Sequence, residues 1–324
     1  MTSPTAAIVT TLRDAGAMID SFIAYHLRIG FSRLFLFFDD PNDPDMARLS
    51  AVSGIRVIGH DAALREKWQS LPEYSKVREF LDREVMSRQV LNAAVAMDLA
   101  RGEGIDWLLH IDSDELFFLS AGNVADHFAA TAFDTIRYIN LEAVPERDVI
   151  TDPFREVDLF KVSIALDSGP KSAQDQALLE STPQLTPGRR FHFYSNGKSA
   201  VRLSSGLRPK GVHGWGDAQG EASGENSQSG LVLHYACCGF EAFWRKYARL
   251  GDFPDRWFGA EDIVAAIGPV HLQARDACAK GREAALEFYR TRIAIEDRAR
   301  AQALVRAGVL VRFPQVTRLL ARMG

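Results

Sequence analysis

The beginning of the chain alternates between two periods of hydrophobicity. Residues 6–12 form a short apolar run rich in β-branched side chains, and residues 33–38 form a second apolar run that ends at two aspartates. Between them, residues 17–29 place apolar side chains at helical spacing and stop at Gly30. This pattern predicts a strand, a helix and a second strand.

The same alternation continues as far as residue 111. Residues 55–58 have a strand pattern, a long helical pattern runs from Val77 to Met97, and residues 107–111 are again apolar. Strands that alternate with helices are typical of a parallel sheet covered by helices on both faces. We therefore expect an α/β, doubly wound half that binds its ligand at the carboxyl ends of the strands.

The second half of the chain has a different pattern. Its short apolar runs are joined by polar loops without long helices, which predicts a mixed or antiparallel half. Residues 214–230 are rich in Gly, Ser, Asn and Gln and are predicted to be a mobile surface loop, and the pattern becomes helical after Phe240. The predicted strands are residues 134–141, 157–162, 190–194, 198–203 and 231–235.

The charge and the cysteines exclude several classes of protein. A net charge of −4 over 324 residues argues against a nucleic-acid-binding protein, which normally carries a strong basic excess. The 3 cysteines form neither a disulfide framework nor a zinc-binding motif. Because the chain has no leader pattern and no apolar run near the ~20 residues of a membrane span, we expect a cytoplasmic protein.

The C-terminal tail is locally basic. From Arg290 onward it has eight arginines, no lysine and only two acidic residues. Apolar residues such as Val309, Leu310 and Leu320 are interleaved with these arginines. One hypothesis is peripheral contact with the inner face of a membrane. The other is that the apolar residues pack on the rest of the chain, or on a second copy in a homodimer.

The strongest candidate for chemistry follows the apolar run of residues 107–111. Asp112 and Asp114 are two residues apart, so on an extended chain their side chains point to the same side. Two carboxylates, without further protein ligands, suit Mn²⁺ or Mg²⁺. Such an ion keeps its other coordination positions for water and a diphosphate. A short acidic triplet after a strand is also typical of a solvated turn.

Several segments, in the same order along the chain, resemble the motifs of one enzyme group. The opening comprises residues 8–14, residues 19–31 and the apolar run into Asp39-Asp40. The later segments are residues 107–117, 197–202, 212–214 and 233–235. Over roughly residues 6–250 the chain resembles the glycosyltransferase family 2-like proteins of GT-A type, and more distantly glycosyltransferase family 92. The resemblance implies metal-dependent, inverting transfer of a sugar from a nucleotide-diphosphate donor to a hydroxyl acceptor such as a polysaccharide or a lipid-linked glycan. It also implies that an Asp-X-Asp motif binds Mn²⁺ or Mg²⁺.

The resemblance, together with the changes of pattern, predicts the domain organisation. A GT-A catalytic domain covers residues 1–240. Within it, residues 1–120 form a Rossmann-like nucleotide-binding half and residues 121–240 form a mixed-sheet acceptor half. Residues 241–324 form a C-terminal helical extension.

The donor site implied by the resemblance needs positive charge and a nucleoside pocket. His234 and His213 are the candidates for a third metal ligand, and Lys198 and Arg202 are candidates to offset phosphate charge. The candidates for binding the nucleotide are Thr10, Thr11, Leu12, Arg13, Asp39, Asp40, Arg88, Asp112 and Ser113. One departure is that Arg13-Asp14 replaces the Asn-Glu that the relatives commonly carry after the first strand.

Inverting transfer also needs a carboxylate that accepts the proton of the acceptor hydroxyl. Glu146 and Asp217 are the candidates for this catalytic base, chosen over Glu142 and Glu241. Trp215 is a candidate for stacking on a sugar, or else it anchors its loop.

Two other functions stay open. A sugar-phosphate nucleotidyltransferase uses a related fold, but it needs a glycine-rich basic loop after the first strand, and residues 10–16 contain one glycine. A non-catalytic protein that binds nucleotide sugars would retain the fold without turnover.

Overall fold

The computed structural model describes residues 3–13, 16, 18–166, 169, 172–188, 190–249 and 269–323. The strands are β1 Ala6–Leu12, β2 Arg33–Phe38, β3 Ile55–Gly59, β4 Trp107–His110, β5 Glu115–Leu119, β6 Thr135–Tyr138, β7 Asn140–Ala143, β8 Leu159–Lys161, β9 Lys198–Arg202, β10 Arg208–Pro209, β11 Trp215–Asp217, β12 Gly220–Glu221, β13 Glu225–Asn226, β14 Gly230–His234 and β15 Leu310–Arg312. The α-helices are α1 Met18–Ile29, α2 Asp45–Ser50, α3 Ala62–Gln69, α4 Tyr74–Val77, α5 Val85–Gly102, α6 Val124–Ala129, α7 Pro153–Glu156, α8 Ala173–Glu180, α9 Phe240–Arg249, α10 Pro269–Ala279, α11 Arg282–Phe288, α12 Arg298–Arg306 and α13 Pro314–Ala321.

The chain forms two compact units, and each is built from two segments. Unit 1 contains Met1–Ile139 and Asn196–Val232, and unit 2 contains Asn140–Ser195 and Leu233–Gly324. These boundaries differ from the predicted division at residues 120 and 240. Residues 196–232 belong to unit 1 because β9 pairs with two strands of its sheet.

Unit 1 is built on a seven-stranded sheet in the order β13-β6-β9-β4-β1-β2-β3. Strands β4, β1, β2 and β3 are parallel to one another, and β9 runs antiparallel to β4 and β6. All seven residues of β1 are buried, as expected for a central parallel strand covered on both faces. The α/β class, with a parallel part, antiparallel additions and C-terminal helices, is confirmed.

Two predicted elements of unit 1 differ in the structure. The long helix expected from Val77 is interrupted before α5, where Arg88 Nη1 donates to the carbonyl oxygen of Leu81 at 2.5 Å. Residues 214–230 contain the short strands β11, β12 and β13 instead of being loop throughout. Trp215 explains part of this difference, because its buried indole packs in the core of unit 1.

Unit 2 contains the antiparallel strands β7, β8 and β15 together with the C-terminal helices. The strand predicted at residues 190–194 does not form. There the Glu142 carboxylate accepts the backbone N–H groups of His192 and Phe193, at 2.8 to 3.0 Å. A side chain thus takes the role that a neighbouring strand would have in binding this segment.

Several apolar residues of the basic tail are buried. Val309 and Leu310 belong to a core cluster of unit 2, and Val316 and Leu320 are also buried. Val311, Phe313 and Leu319 are half-buried. Packing within the chain therefore accounts for part of the apolar pattern. Among the described residues, no helix has both the length and the apolar character needed to cross a membrane.

Candidate active site

Three neighbouring parallel strands of unit 1 end at one edge, and each is followed by polar residues. The register pairs Leu12 of β1 with Phe38 of β2, so Arg13 and Asp39 follow side by side. Strand β4 pairs with the other side of β1 and is followed by Asp112. We call this edge the acidic edge. It is the ligand-binding position of a parallel α/β sheet.

One helix binds all three strand ends. Arg88 Nε and Nη2 donate to the two carboxylate oxygens of Asp39, at 2.5 and 2.8 Å. Gln89 Nε2 donates to Asp112 Oδ1 at 2.6 Å, and Asn92 Nδ2 donates to Thr11 Oγ1 at 3.0 Å. The three side chains are buried. Because residues at i, i+1 and i+4 lie within a sector of about 100° on a helix, α5 presents them on one side.

Gln89 and Asn92 were missed by the sequence analysis. Their polarity is the signal that could have identified them, because two amide side chains interrupt the apolar residues of a long helix. Most residues of that helix are buried in the structure. Asn92 Oδ1 also accepts the indole N–H of Trp68 at 3.2 Å. A buried amide whose oxygen and nitrogen are both hydrogen-bonded fixes the positions of its two partners, here Trp68 and Thr11.

Lys198 is the second partner of Asp112. Its ammonium lies 2.7 Å from Asp112 Oδ2 and 3.7 Å from Glu115 Oε2. Glu115 Oε2 also accepts the backbone N–H of Asp112 at 2.7 Å. Lys198 and Glu115 are fully buried, whereas the Asp112 side chain is 29% exposed. Both oxygens of Asp112 are therefore hydrogen-bonded by side chains of unit 1.

The local sequence explains why Lys198 reaches this place. Strand β9 pairs with β4 through Leu108 and Val201, and continuing this register places Lys198 beside the residues that follow β4. Gly197 precedes it with φ +72°, and a Cβ there would lie 2.2 Å from the carbonyl oxygen of Tyr138. Only glycine allows this close approach.

The charges at the acidic edge are strongly coupled. Burial is the largest single influence on the pKa of Asp112 and would raise it, but the Lys198 charge, its hydrogen bond and the other neighbouring groups together outweigh burial and hold that pKa below its usual range. For Lys198, burial opposes the charged form, while the neighbouring carboxylates, Asp112 first, together outweigh it and raise the pKa. Burial raises the pKa of Glu115 well above its usual value. The arrangement is an Asp112–Lys198 ion pair beside a buried Glu115 whose charged form is disfavoured by burial.

Two histidines lie near this pair. Burial, and then the positive charge of Lys198, lowers the pKa of both His110 and His213 to about 3. His213 Nδ1 is 2.7 Å from the carbonyl oxygen of Gly197. Both rings are therefore neutral at physiological pH, so neither supplies a cation for a phosphate.

The Lys198 ammonium opposes a divalent metal bound to Asp112. Mg²⁺ would bind a carboxylate oxygen at about 2.0–2.1 Å, so it would lie close to the ammonium, which is 2.7 Å from Asp112 Oδ2, and the two positive charges would repel each other. Asp114 is half-buried beside them. Among the described residues, no group of three or more His, Cys, Asp or Glu side chains is arranged to hold a metal ion.

The remaining nucleotide candidates occupy different positions at the same edge. Thr10 is buried, and within the described part of the chain its hydroxyl has no hydrogen-bond partner. Leu12 is buried, whereas the Arg13 side chain is 66% exposed and lies 4.0 Å from Asp39 Oδ2. Asp40 accepts a backbone N–H two residues ahead, as a turn residue does.

Ser113 is half-buried between the two aspartates of the motif. Asp14 lies outside the described residues. His60 was not predicted, yet its Nδ1 is 3.3 Å from the carbonyl oxygen of Asp39 and its ring contacts Trp68.

Three further candidates of unit 1 have structural partners. Trp215 is 3% exposed and donates its indole N–H to the carbonyl oxygen of Ser199, which corresponds to the anchoring alternative. The Arg202 guanidinium lies 4.5 Å from the ring centroid of Trp107 and 3.3 Å from Asp134. Asp217 is exposed and accepts the backbone N–H of Gln219.

Three candidate residues, Glu146, Glu142 and His234, have partners within unit 2. Glu146 accepts two hydrogen bonds from Arg312, at 3.0 and 2.8 Å. Glu142 is fully buried and lies 2.5 Å from the Lys161 ammonium. The His234 ring is buried and lies against Tyr194, with ring centroids 4.8 Å apart.

Comparison with known proteins adds the following. No protein-family model matches the chain. Two proteins from Arabidopsis thaliana described as glycosyltransferase-like are each 28% identical to it over 94% of the chain. The chain spans 69% of the first relative and 61% of the second. This similarity agrees with an enzyme of the transferase class.

Two solved structures show partial likeness. The Mn/GDP form of core-mannan synthase A from Aspergillus fumigatus is 12% identical with a TM-score of 0.30, and the match covers 62% of this chain and 60% of that one. The mannosyltransferase Ktr4p from S. cerevisiae is 12% identical with a TM-score of 0.28, and the match covers 44% of this chain and 41% of that one.

Proposed function

We propose that the chain is a glycosyltransferase with a GT-A type fold that takes a sugar from a nucleotide-diphosphate donor bound at the acidic edge. The observation that carries this proposal is the meeting of Thr11, Asp39 and Asp112 at adjacent ends of three parallel strands, all bound by α5. The similarity to glycosyltransferase-like relatives over 94% of the chain supports the same class.

The chemistry of the edge fits recognition of a nucleoside and its diphosphate. Buried hydroxyl and carboxylate groups at the ends of β1 and β2 suit hydrogen bonds to a ribose or a base. Arg13 is exposed at the same edge, and its guanidinium is able to bind phosphate oxygens in a bidentate manner. The leaving diphosphate develops charge in the transition state, and positive groups placed there lower the barrier.

Several finer points belong to this proposal. Transfer with inversion, with Glu146 or Asp217 as the catalytic base, remains a prediction. So do the use of Mn²⁺ or Mg²⁺ with Asp114, His213 or His234 as ligands, and the peripheral membrane contact or homodimer through the C-terminal helices. If a metal binds, its positive charge would stabilise the negative charge of the leaving diphosphate.

The test is a panel of nucleotide sugars incubated with the full chain, in Mn²⁺ and in EDTA, with release of the nucleoside diphosphate as the readout. Release from one donor, accelerated by an acceptor saccharide, is the expected result. Formation of inorganic diphosphate from a nucleoside triphosphate and a sugar phosphate would instead identify a nucleotidyltransferase. Tight donor binding without release would identify a non-catalytic nucleotide-sugar-binding protein.

A further inference from the structure

Lys198 is a fully buried cation in the middle of the main sheet of unit 1. Its strand β9 is hydrogen-bonded to β4 on one side and to β6 on the other. The ammonium lies 2.7 Å from Asp112 Oδ2 and 3.7 Å from Glu115 Oε2. A buried ammonium is stable only when carboxylates of this kind compensate its charge.

We propose that Lys198 is the resident cation of the acidic edge. Its ammonium takes the place on Asp112 that a divalent metal would need, so Asp112 is the counter-ion of a lysine and not a metal ligand.

The second oxygen of Asp112 supports the same assignment. Gln89 Nε2 donates to Asp112 Oδ1 at 2.6 Å from a buried position on α5. A metal on Asp112 would have to share the carboxylate with this amide and with the ammonium, whose positive charge repels it, or else displace the ammonium. Displacing the ammonium would leave Lys198 charged and without its closest partner inside the sheet, at a large cost in free energy.

A consequence follows for donor binding, and it rests on the proposed function. The positive charge next to Asp112 is built into the chain, so a nucleoside diphosphate does not require a metal bridge to that carboxylate. Lys198 is in this sense a positioning residue, because it holds Asp112 in one orientation and cancels its charge.

The first experiment measures Mn²⁺ alone, by electron paramagnetic resonance of free Mn²⁺ in titrations of the full chain. We expect Lys198→Met to bind Mn²⁺ at least about tenfold more tightly than the wild type, a change of about 1.4 kcal/mol. The reason is that the variant leaves Asp112 without its counter-ion and close to Asp114. The matched control is Lys161→Met, which removes the buried lysine paired with Glu142 in unit 2 and should not gain Mn²⁺ affinity.

A second variant guards against loss of folding. Lys198→Met combined with Asp112→Asn removes both charges, which avoids leaving one of them buried alone. We expect this double variant to fold and to bind Mn²⁺ no better than the wild type. The proposal is overturned if the wild type itself binds one Mn²⁺ per chain and Asp112→Asn weakens that binding tenfold or more.

The last measurement is calorimetric titration of the wild type with UDP and GDP. Binding of one of them in EDTA, within about threefold of its affinity in Mn²⁺, is the expected result, because threefold is under 1 kcal/mol. Binding that appears only in Mn²⁺ and that Asp112→Asn weakens tenfold or more overturns the assignment of Lys198 while leaving the proposed function intact. Binding that appears only in Mn²⁺ and is unchanged in Asp112→Asn indicates a metal held by other residues and supports the assignment. Absence of binding in both conditions contradicts the proposed function, and the Mn²⁺ titrations then still test Lys198 independently.

Discussion

The pair formed by Arg88 and Asp39 gives the sharpest prediction about the acidic edge. The Arg88 side chain is 8% exposed and that of Asp39 is 7% exposed, and two hydrogen bonds join them. A third hydrogen bond joins Arg88 to the carbonyl oxygen of Leu81 at 2.5 Å. Arg88→Met removes all three, and the buried Asp39 carboxylate then keeps only longer contacts, 3.8 Å to His60 Nδ1 and 4.0 Å to the exposed Arg13.

The magnitude follows from this burial. Removing one member of a buried ion pair typically costs about 3–5 kcal/mol. The matched control is Arg101→Met on the same helix, because Arg101 is partly exposed and pairs with the exposed Asp98 at 3.2 Å. An exposed pair of this kind contributes about 0.2–1 kcal/mol. We therefore expect Arg88→Met to cost several times more than the control.

The assay is urea unfolding followed by circular dichroism, combined with titration of UDP and GDP. The double variant Arg88→Met with Asp39→Asn should recover part of the lost stability, since it removes the unpaired charge. Nucleotide binding should fall in the single variant even where it remains folded. The reasoning is refuted if Arg88→Met destabilises the chain no more than Arg101→Met does.

Three other predictions concern separate features. Lys161→Met should destabilise the chain by about 3–5 kcal/mol in chemical unfolding, because it leaves Glu142 charged and buried, and a loss below 1 kcal/mol would contradict this. The Lys161 charge and two backbone N–H groups outweigh burial and lower the pKa of Glu142 to about 2. The charged Glu142 should therefore stabilise the fold above pH 4.5, and this contribution should be lost as the pH falls toward 2. Acid unfolding measures this loss. Asp114→Asn should slow nucleoside-diphosphate release by about 10²–10³-fold without changing the melting temperature, and an unchanged rate would remove Asp114 from the catalytic groups. Deletion after Ala307 removes the buried Leu310 and should reduce the yield of folded chain, whereas a fully stable truncated chain would favour the membrane hypothesis over packing.

The hydrophobic pattern by itself determines most elements of the parallel part. Runs of period two and of helical period alternate through residues 6–111, and this local property predicts a parallel sheet with its ligand edge at the carboxyl ends. For that reason the sequence alone places Asp39 and Asp112 at the ends of strands. Their positions depend only on where each strand ends.

The tertiary structure alone decided which partners these residues have. Lys198 lies 86 residues from Asp112 in the chain, and only the antiparallel pairing of β9 with β4 brings it to that carboxylate. The same is true of Glu142, whose carboxylate binds residues 192 and 193 and prevents a strand that the pattern predicted. Strand and helix periods are encoded locally, whereas the partner of a buried charge depends on register between distant segments. The sequence therefore indicated an acidic edge, and the fold assigned a lysine to it.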